Sequence, residues 1–161
     1  MAARNPFPAA WPSSARVGVV EYTLKSSATF LINALVKLTS GEVEESGADP
    51  SAVVGIAADP TSQSLPGHVS GGVLGESSKI GVYVADLETE FSWEVAATKP
   101  ADANLGVAYG VVKTGDVWLI DLTETTATVV KITRLDPVND TRAYAKFGGA
   151  TVVLQGSGGA A

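Results

Sequence analysis

The sequence predicts an all-β protein with a compact sandwich or barrel-like body, one short helix and an extended N-terminal arm. Short runs rich in valine, isoleucine, tyrosine and phenylalanine recur along the chain, and glycine, proline, aspartate and asparagine separate them. Evenly spaced strands with such turns are typical of β-sandwiches and barrels. Proline-rich sequence is concentrated in the first 12 residues, and only one segment of the chain has a good helical pattern.

The N-terminal arm is the first predicted element. Pro6, Pro8 and Pro12 block a helix and disfavour a central strand. Phe7 and Trp11 stand between these prolines, and each ring has roughly 150–250 Å² of surface to bury. Two alternatives follow: the arm packs on its own domain, or it reaches a neighbouring subunit or another protein.

We divide the 161 residues into an arm at residues 1–16, a β domain at residues 17–155 and a flexible GSGGAA tail at residues 156–161. The helix candidate is Ser26–Ala34, and the proline-interrupted segment Ala97–Leu105 has room for one helical turn. The predicted strands are Val17–Leu24, Leu35–Thr39, Val53–Ala57, Lys79–Ala85, Glu90–Val95, Ala108–Lys113, Val117–Leu122, Thr128–Leu135 and Ala143–Leu154.

The stretch SAVVGIAADPT, from Ser51 to Thr61, places an apolar strand beside a polar segment. We expect Val53, Val54, Ile56 and Ala57 to be core residues. Gly55 would allow a bend or a close approach of two backbones. The polar residues after Asp59-Pro60 would form a surface loop that carries contacts to a partner.

Two connections and one alternating strand are specified further along the chain. The glycine-containing turn within Lys113–Val117 predicts a hairpin, and Thr123–Ala127 would join the next pair of strands. In the run VWLIDL, alternation places Trp118, Ile120 and Leu122 on one face of the strand.

Charge and composition exclude several classes of function. A net charge of −6 argues against general binding of a phosphate backbone. The acidic residues between Lys37 and Lys79 contrast with Arg4 and Arg16 in the arm, which indicates self-complementarity, a mixed-charge protein partner, or only a solvated surface. The absence of cysteine excludes disulfides and thiolate sites. We find neither a membrane-spanning run nor a secretion signal, and expect a soluble protein made in a cytoplasm.

No catalytic constellation, metal site or cofactor site is expected. His68 is the only histidine and has no neighbouring ligands, and the loop GHVSGGVLGESSK lacks the ending of a phosphate-binding loop. The carboxylate pairs Glu88 with Glu90 and Asp116 with Asp121 are interpreted as solvating groups beside turns. We therefore expect a protein that is not an enzyme and has no small-molecule substrate.

Three segments together carry a family resemblance. They read ALVKLTSGEVEESGADPSAVVGIAADPTS from Ala34, then KIGVYVADLETEFSWEV, then TRAYAKFGGATVVLQG near the end. This succession, which includes an acidic strand after the Ser-Gly turn, resembles the head decoration or capsid cement proteins of tailed bacteriophages, including the lambda-like decoration protein. The matching positions are Leu35–Leu38, Val53–Ala58, Asp59–Ser62 and Val82–Val84. The Ser64–Ser78 loop and the Trp118 hairpin depart from the lambda-like pattern.

The resemblance implies a barrel-like body of the β-tulip type and a homotrimer on the outside of an icosahedral phage head. The protein would be synthesised in the host cytoplasm and would bridge major capsid proteins of the HK97 type in the virion, with no nucleic-acid or membrane partner. We expect the arm to bind this partner by strand addition and aromatic anchoring. The candidate residues are Arg4, Pro6, Phe7, Pro8, Trp11 and Pro12.

One alternative function also belongs to a virion. The chain would be a tail or fibre β module that stacks a receptor glycan on Trp93 or Trp118. Both tryptophans lie in apolar strands, however, so packing in the core or in an interface is the preferred interpretation of these rings.

Overall fold

The computed structural model describes residues 6–8, 19–26, 28–47, 50–58, 79–85, 89–150 and 152. The strands are β1 (Phe7–Pro8), β2 (Val19–Leu24), β3 (Leu35–Thr39), β4 (Glu42–Glu45), β5 (Val53–Ala57), β6 (Lys79–Val84), β7 (Glu90–Glu94), β8 (Ala108–Thr114), β9 (Val117–Asp121), β10 (Val130–Leu135) and β11 (Arg142–Phe147). One turn of 3-10 helix spans Asp102–Asn104, within the segment predicted to hold a helical turn.

Five strands from the first half of the chain close into a barrel in the order β2-β4-β3-β5-β6. The barrel closes where β6 pairs antiparallel with β2. The other neighbours are also antiparallel, except that β2 and β4 run parallel. The acidic strand expected after the Ser-Gly turn is β4.

The remaining strands form a six-stranded sheet in the order β1-β7-β11-β10-β8-β9. The sheet curls, because Val95 at the end of β7 forms a parallel bridge with Ile120 of β9. The predicted hairpin joins β8 to β9 through Gly115, whose φ of +62° suits glycine. The segment Thr123–Ala127 does connect β9 to β10, but β8 lies between these two strands in the sheet.

The barrel and the sheet share one hydrophobic core. Phe91 and Trp93 meet Phe147 edge-on, with ring centroids 5.4 and 6.1 Å apart, the arrangement that aromatic quadrupoles favour. Trp118 and Ile120 are fully buried, as the predicted alternation requires. An all-β protein with a compact, barrel-like body is therefore confirmed.

Strand β5 confirms the predicted role of the VVGIAA stretch. Its predicted core residues are completely buried, namely Val53, Val54, Ile56 and Ala57. At Gly55, a β-carbon would lie 2.0 Å from the carbonyl oxygen of Tyr83 on β6. Only glycine allows the two backbones to approach so closely.

The helix predicted at Ser26–Ala34 is wrong for the part that the structure describes. The chain there turns at Ile32 and Asn33, and the Asn33 N–H donates to the Ala57 carbonyl at 2.9 Å. Serine, threonine, asparagine and β-branched residues are weak helix formers. Bonding to β5 and burial of Phe30 in the core therefore outweigh a short helix.

The last strand is shorter than the predicted Ala143–Leu154. It ends at Phe147, and the backbone then bends at Gly149 and turns at Ala150. A β-carbon on Gly149 would lie 1.9 Å from the Thr128 carbonyl oxygen, so the chain passes too close to its neighbour to continue the ladder. Val152 instead forms a parallel bridge with Val53 of the barrel.

Candidate functional site

The described part of the arm lies on its own domain. Phe7 pairs with Ser92 and Pro8 with Phe91, which adds β1 antiparallel to the edge of the sheet. Proline is compatible with this position because an edge strand is hydrogen-bonded on one side only. Pro6, just before β1, is buried. For Pro6, Phe7 and Pro8, the structure therefore shows the first alternative, in which the arm packs on its own domain.

The other candidate residues of the arm are Arg4, Trp11 and Pro12, and they lie outside the described residues. The Ser64–Ser78 loop, His68, Glu88 and the polar segment Asp59–Ser62 also lie outside them.

A buried ion pair lies on β7 and β11 beside the arm. Arg142 Nη1 donates to Glu94 Oε1 at 2.7 Å, and Arg142 Nε donates to the Ser92 hydroxyl at 2.9 Å. The remaining Arg142 Nη2 donates to the Ser92 carbonyl at 3.0 Å, while the Thr141 hydroxyl donates to Glu94 Oε2 at 2.9 Å. Because each charged group is hydrogen-bonded, this buried pair has a structural role: it joins β11 to β7, the strand with which β1 pairs.

Both tryptophans of the glycan alternative are core residues. Trp93 and Trp118 have no exposed surface, so neither ring is available to stack on a sugar in this structure. Trp118 Nε1 donates to Glu45 Oε1 at 3.1 Å. The preferred interpretation of these rings as packing residues is confirmed.

Glu45 joins the barrel to the sheet and lines a surface cleft. Its Oε1 also receives Lys113 Nζ at 2.8 Å, so a β4 carboxylate ties together side chains of β8 and β9. The cleft has a volume of about 380 Å³. It is lined by Thr29, Phe30, Leu31, Glu45, Lys113 and Asp116. Glu45 and Lys113 form an ion pair with each other. We therefore interpret these cleft residues as part of the contact between the barrel and the six-stranded sheet.

The neighbouring carboxylate of β4 is held by two lysines and a hydroxyl. Lys25 Nζ lies 2.6 Å from Glu44 Oε2, the Thr39 hydroxyl donates to Oε1 at 2.6 Å, and Lys37 Nζ lies 3.7 Å from Oε1. The Lys25 bond, followed by the Thr39 bond, lowers the pKa of the Glu44 carboxyl to about 2. The negative charge of Glu44 is thus compensated by lysines of the same chain.

Two of the carboxylates interpreted as solvating groups, Glu90 and Asp121, have hydrogen-bond partners in the structure. Glu90 accepts from Thr133 and Arg134, and Asp121 accepts the N–H and hydroxyl of Thr123. Within the described ranges, no group of three or more metal-ligating side chains occurs. None of the helices in that part of the chain is long and apolar enough to cross a membrane.

Sequence reasoning missed a basic surface on β10 and β11. Lys131 stands directly opposite Lys146, and Arg134 directly opposite Tyr144. The Arg134 guanidinium lies 3.5 Å from the centroid of the Tyr144 ring, a cation–π contact. We call these four residues the basic face. Their sequence positions alone carry no signal for it, because a bulge between Ile132 and Arg134 sets the register.

Comparison with family models, with curated proteins and with solved structures found no match to this chain.

Proposed function

We propose that this chain is a structural protein of a phage virion that binds the outside of an icosahedral capsid as a trimer and cements the lattice of major capsid proteins. The action is mechanical: each copy holds neighbouring subunits of the expanded shell together against the pressure of the packaged DNA. Repetition over many sites turns a modest contact into a strong one.

The observation that carries this proposal is the location of the segments that resemble cement proteins. Leu35–Leu38, Val53–Ala58 and Val82–Val84 belong to β3, β5 and β6, or extend one residue beyond them, and these are consecutive strands of one closed barrel. Residues separated along the sequence thus form one folded unit. The adjacency of these segments in the barrel is what supports the proposal.

The arm is the proposed means of attachment. Phe7 and Pro8 already pair with β7 of the same chain, so the arm residues left to contact a neighbouring protein are those that precede and follow β1 in the sequence. With Phe7 and Pro8 held at the sheet edge, the flanking residues Arg4 and Trp11 are the groups that we propose contact the capsid.

Deletion of residues 2–12 tests the arm. We expect the variant to remain a trimer, measured as solution mass by light scattering, and to show lower occupancy on purified heads, measured by co-sedimentation. Because the deletion also removes β1 and exposes the β7 edge, Trp11→Ala serves as a second variant that keeps β1. Unchanged occupancy for both variants would rule out attachment through the arm.

Arg4→Glu separates the charged and aromatic parts of the contact. If the arm meets an acidic groove, the variant loses occupancy most strongly at low salt, where charges are least screened. A loss that is equal at all salt concentrations would instead argue for aromatic anchoring, through Trp11, without a charged contribution.

A further inference from the structure

We propose that the basic face, formed by Lys131, Arg134, Tyr144 and Lys146, is a docking surface for a carboxylate-bearing surface of a partner protein. The inference rests on the charges and register of described residues, and it stands apart from the capsid proposal. It concerns strands β10 and β11 and does not involve the arm.

Among the lysines and arginines that the structure describes, Lys131 and Lys146 are the two that form no ion pair with a described carboxylate. Every other described lysine and arginine forms an ion pair with a carboxylate of this chain. Lys131 is exposed and Lys146 is half-buried, and within the described ranges neither has an ion-pair partner. In a chain of net charge −6, leaving two cations uncompensated at one place is unexpected.

The register makes this arrangement costly. Lys131 and Lys146 are directly opposite residues of an antiparallel pair, and like charges at such positions are destabilising. Lysines often protect the edges of sheets against aggregation. That explanation does not apply here, because β10 and β11 are interior strands of the six-stranded sheet.

The carboxylate on the strand position opposite Lys146 is already engaged. Glu90 of β7 is the residue directly opposite Lys146, but its Oε2 accepts from Arg134 Nε at 3.1 Å and its Oε1 accepts from the Thr133 hydroxyl at 2.5 Å. Arg134 is in turn held over the Tyr144 ring. The charges of Glu90 and Arg134 cancel, so the net positive charge of the basic face comes from Lys131 and Lys146.

A protein carboxylate fits this surface better than other anions do. The side chains stand on the outer face of the sheet, opposite the core residues Ile132 and Ala145, and an open sheet face suits another protein surface. A nucleic acid gains affinity from many cations, whereas the basic face offers two uncompensated ones on a chain of unfavourable net charge. Two lysines side by side match one or two carboxylates.

The test uses a defined peptide, Gly-Glu-Gly-Glu-Gly-Glu-Gly, whose carboxylates lie on one side when it is extended. Amide chemical shifts of the full chain are followed by NMR during titration at low salt. We expect changes centred on β10 and β11, an affinity about tenfold lower for Lys131→Gln/Lys146→Gln, and little change for the charge-matched control Lys79→Gln/Lys99→Gln. Equal losses for the two double variants would overturn the proposal, as would equal binding of the peptide with glutamine in place of glutamate.

Two further readouts complete the test. Removal of the like-charge pair should raise Tm by about 1–3 °C in Lys131→Gln/Lys146→Gln, and a lowered Tm would instead give the lysines a structural role. Heptathymidylate and a sulfated disaccharide serve as competing probes. If either one shifts the same amides at lower concentration than the peptide, the surface is not a site for protein carboxylates.

Discussion

Two single residues contribute to the fold in different ways. Gly55 contributes because it has no side chain, and Glu44 contributes through its negative charge. Gly55 lets β5 lie against the Tyr83 carbonyl. Glu44 forms ion pairs with Lys25 and Lys37 and accepts a hydrogen bond from Thr39. Neither role needs a partner or a ligand. Both can therefore be tested on the purified chain.

Gly55→Ala is expected to destabilise the fold strongly. Its β-carbon would lie 2.0 Å from the Tyr83 oxygen, and a backbone atom cannot move aside as a flexible side chain can. We expect a loss of about 3 kcal/mol or more in the free energy of unfolding, measured by urea denaturation. Gly47→Ala is the control, since nothing lies within 4 Å of the added carbon. Equal losses for both variants would refute the close-approach argument.

Glu44 predicts an acid-sensitive contribution to stability. Its folded pKa of about 2 is depressed below the ordinary value, so the contribution is fully present above the unfolded pKa and is lost as pH falls toward 2. Between about pH 4.5 and 2, the wild type should lose more stability than Glu44→Gln does. The carboxyl titration, followed by NMR, should move to higher pH in Lys25→Gln. Lys79→Gln should leave it in place, because Lys79 pairs with Glu21.

At the scale of elements, β7 pairs with β1 on one side and with β11 on the other. The outward side chains Ser92 and Glu94 of β7 and Arg142 of β11 are buried, although they stand opposite the core face. The hydrogen bonds of Arg142 satisfy this polar layer. Arg142 thus holds Ser92 and Glu94 of β7, the strand that pairs with β1.

Arg142→Met should therefore cost about 3–5 kcal/mol in unfolding free energy, because it leaves the Glu94 carboxylate buried without its partner. The double variant Arg142→Met/Glu94→Leu should recover part of that loss, which a double-mutant cycle would measure. Lys99→Gln is the control and should change stability by less than about 1 kcal/mol, since the Lys99 pair with Asp140 is exposed. A strictly additive cycle would contradict a buried coupled pair.

Most strands could be predicted from the sequence, because apolar runs and turn residues are local signals. The hairpin at Gly115 and the core of β5 follow directly from such signals. The prediction of a helix at Ser26–Ala34 is wrong because Phe30 packs into the core and the Asn33 N–H donates to Ala57, and such long-range contacts are not visible in the local sequence. The pairing of Lys131 with Lys146 depends on a register that only the folded sheet reveals.

At the scale of the whole molecule, a closed barrel and a curled sheet share one core and a polar joint. Glu45 contributes to the joint by accepting from both Lys113 and Trp118. A single core shared by the barrel and the sheet suits the proposed cementing role, in which force passes from one bridged subunit to another. Two surfaces are then proposed for contacts: the arm at the β7 edge and the basic face on β10 and β11.

Binding to phage heads is the most direct test of the proposed function. The purified chain is mixed in increasing amounts with expanded heads of a tailed phage, and the pelleted fraction is quantified after sedimentation. The proposal predicts saturable binding, in multiples of three chains per site, and heads that withstand more heating once saturated. A chain that stays in the supernatant at every concentration would contradict it.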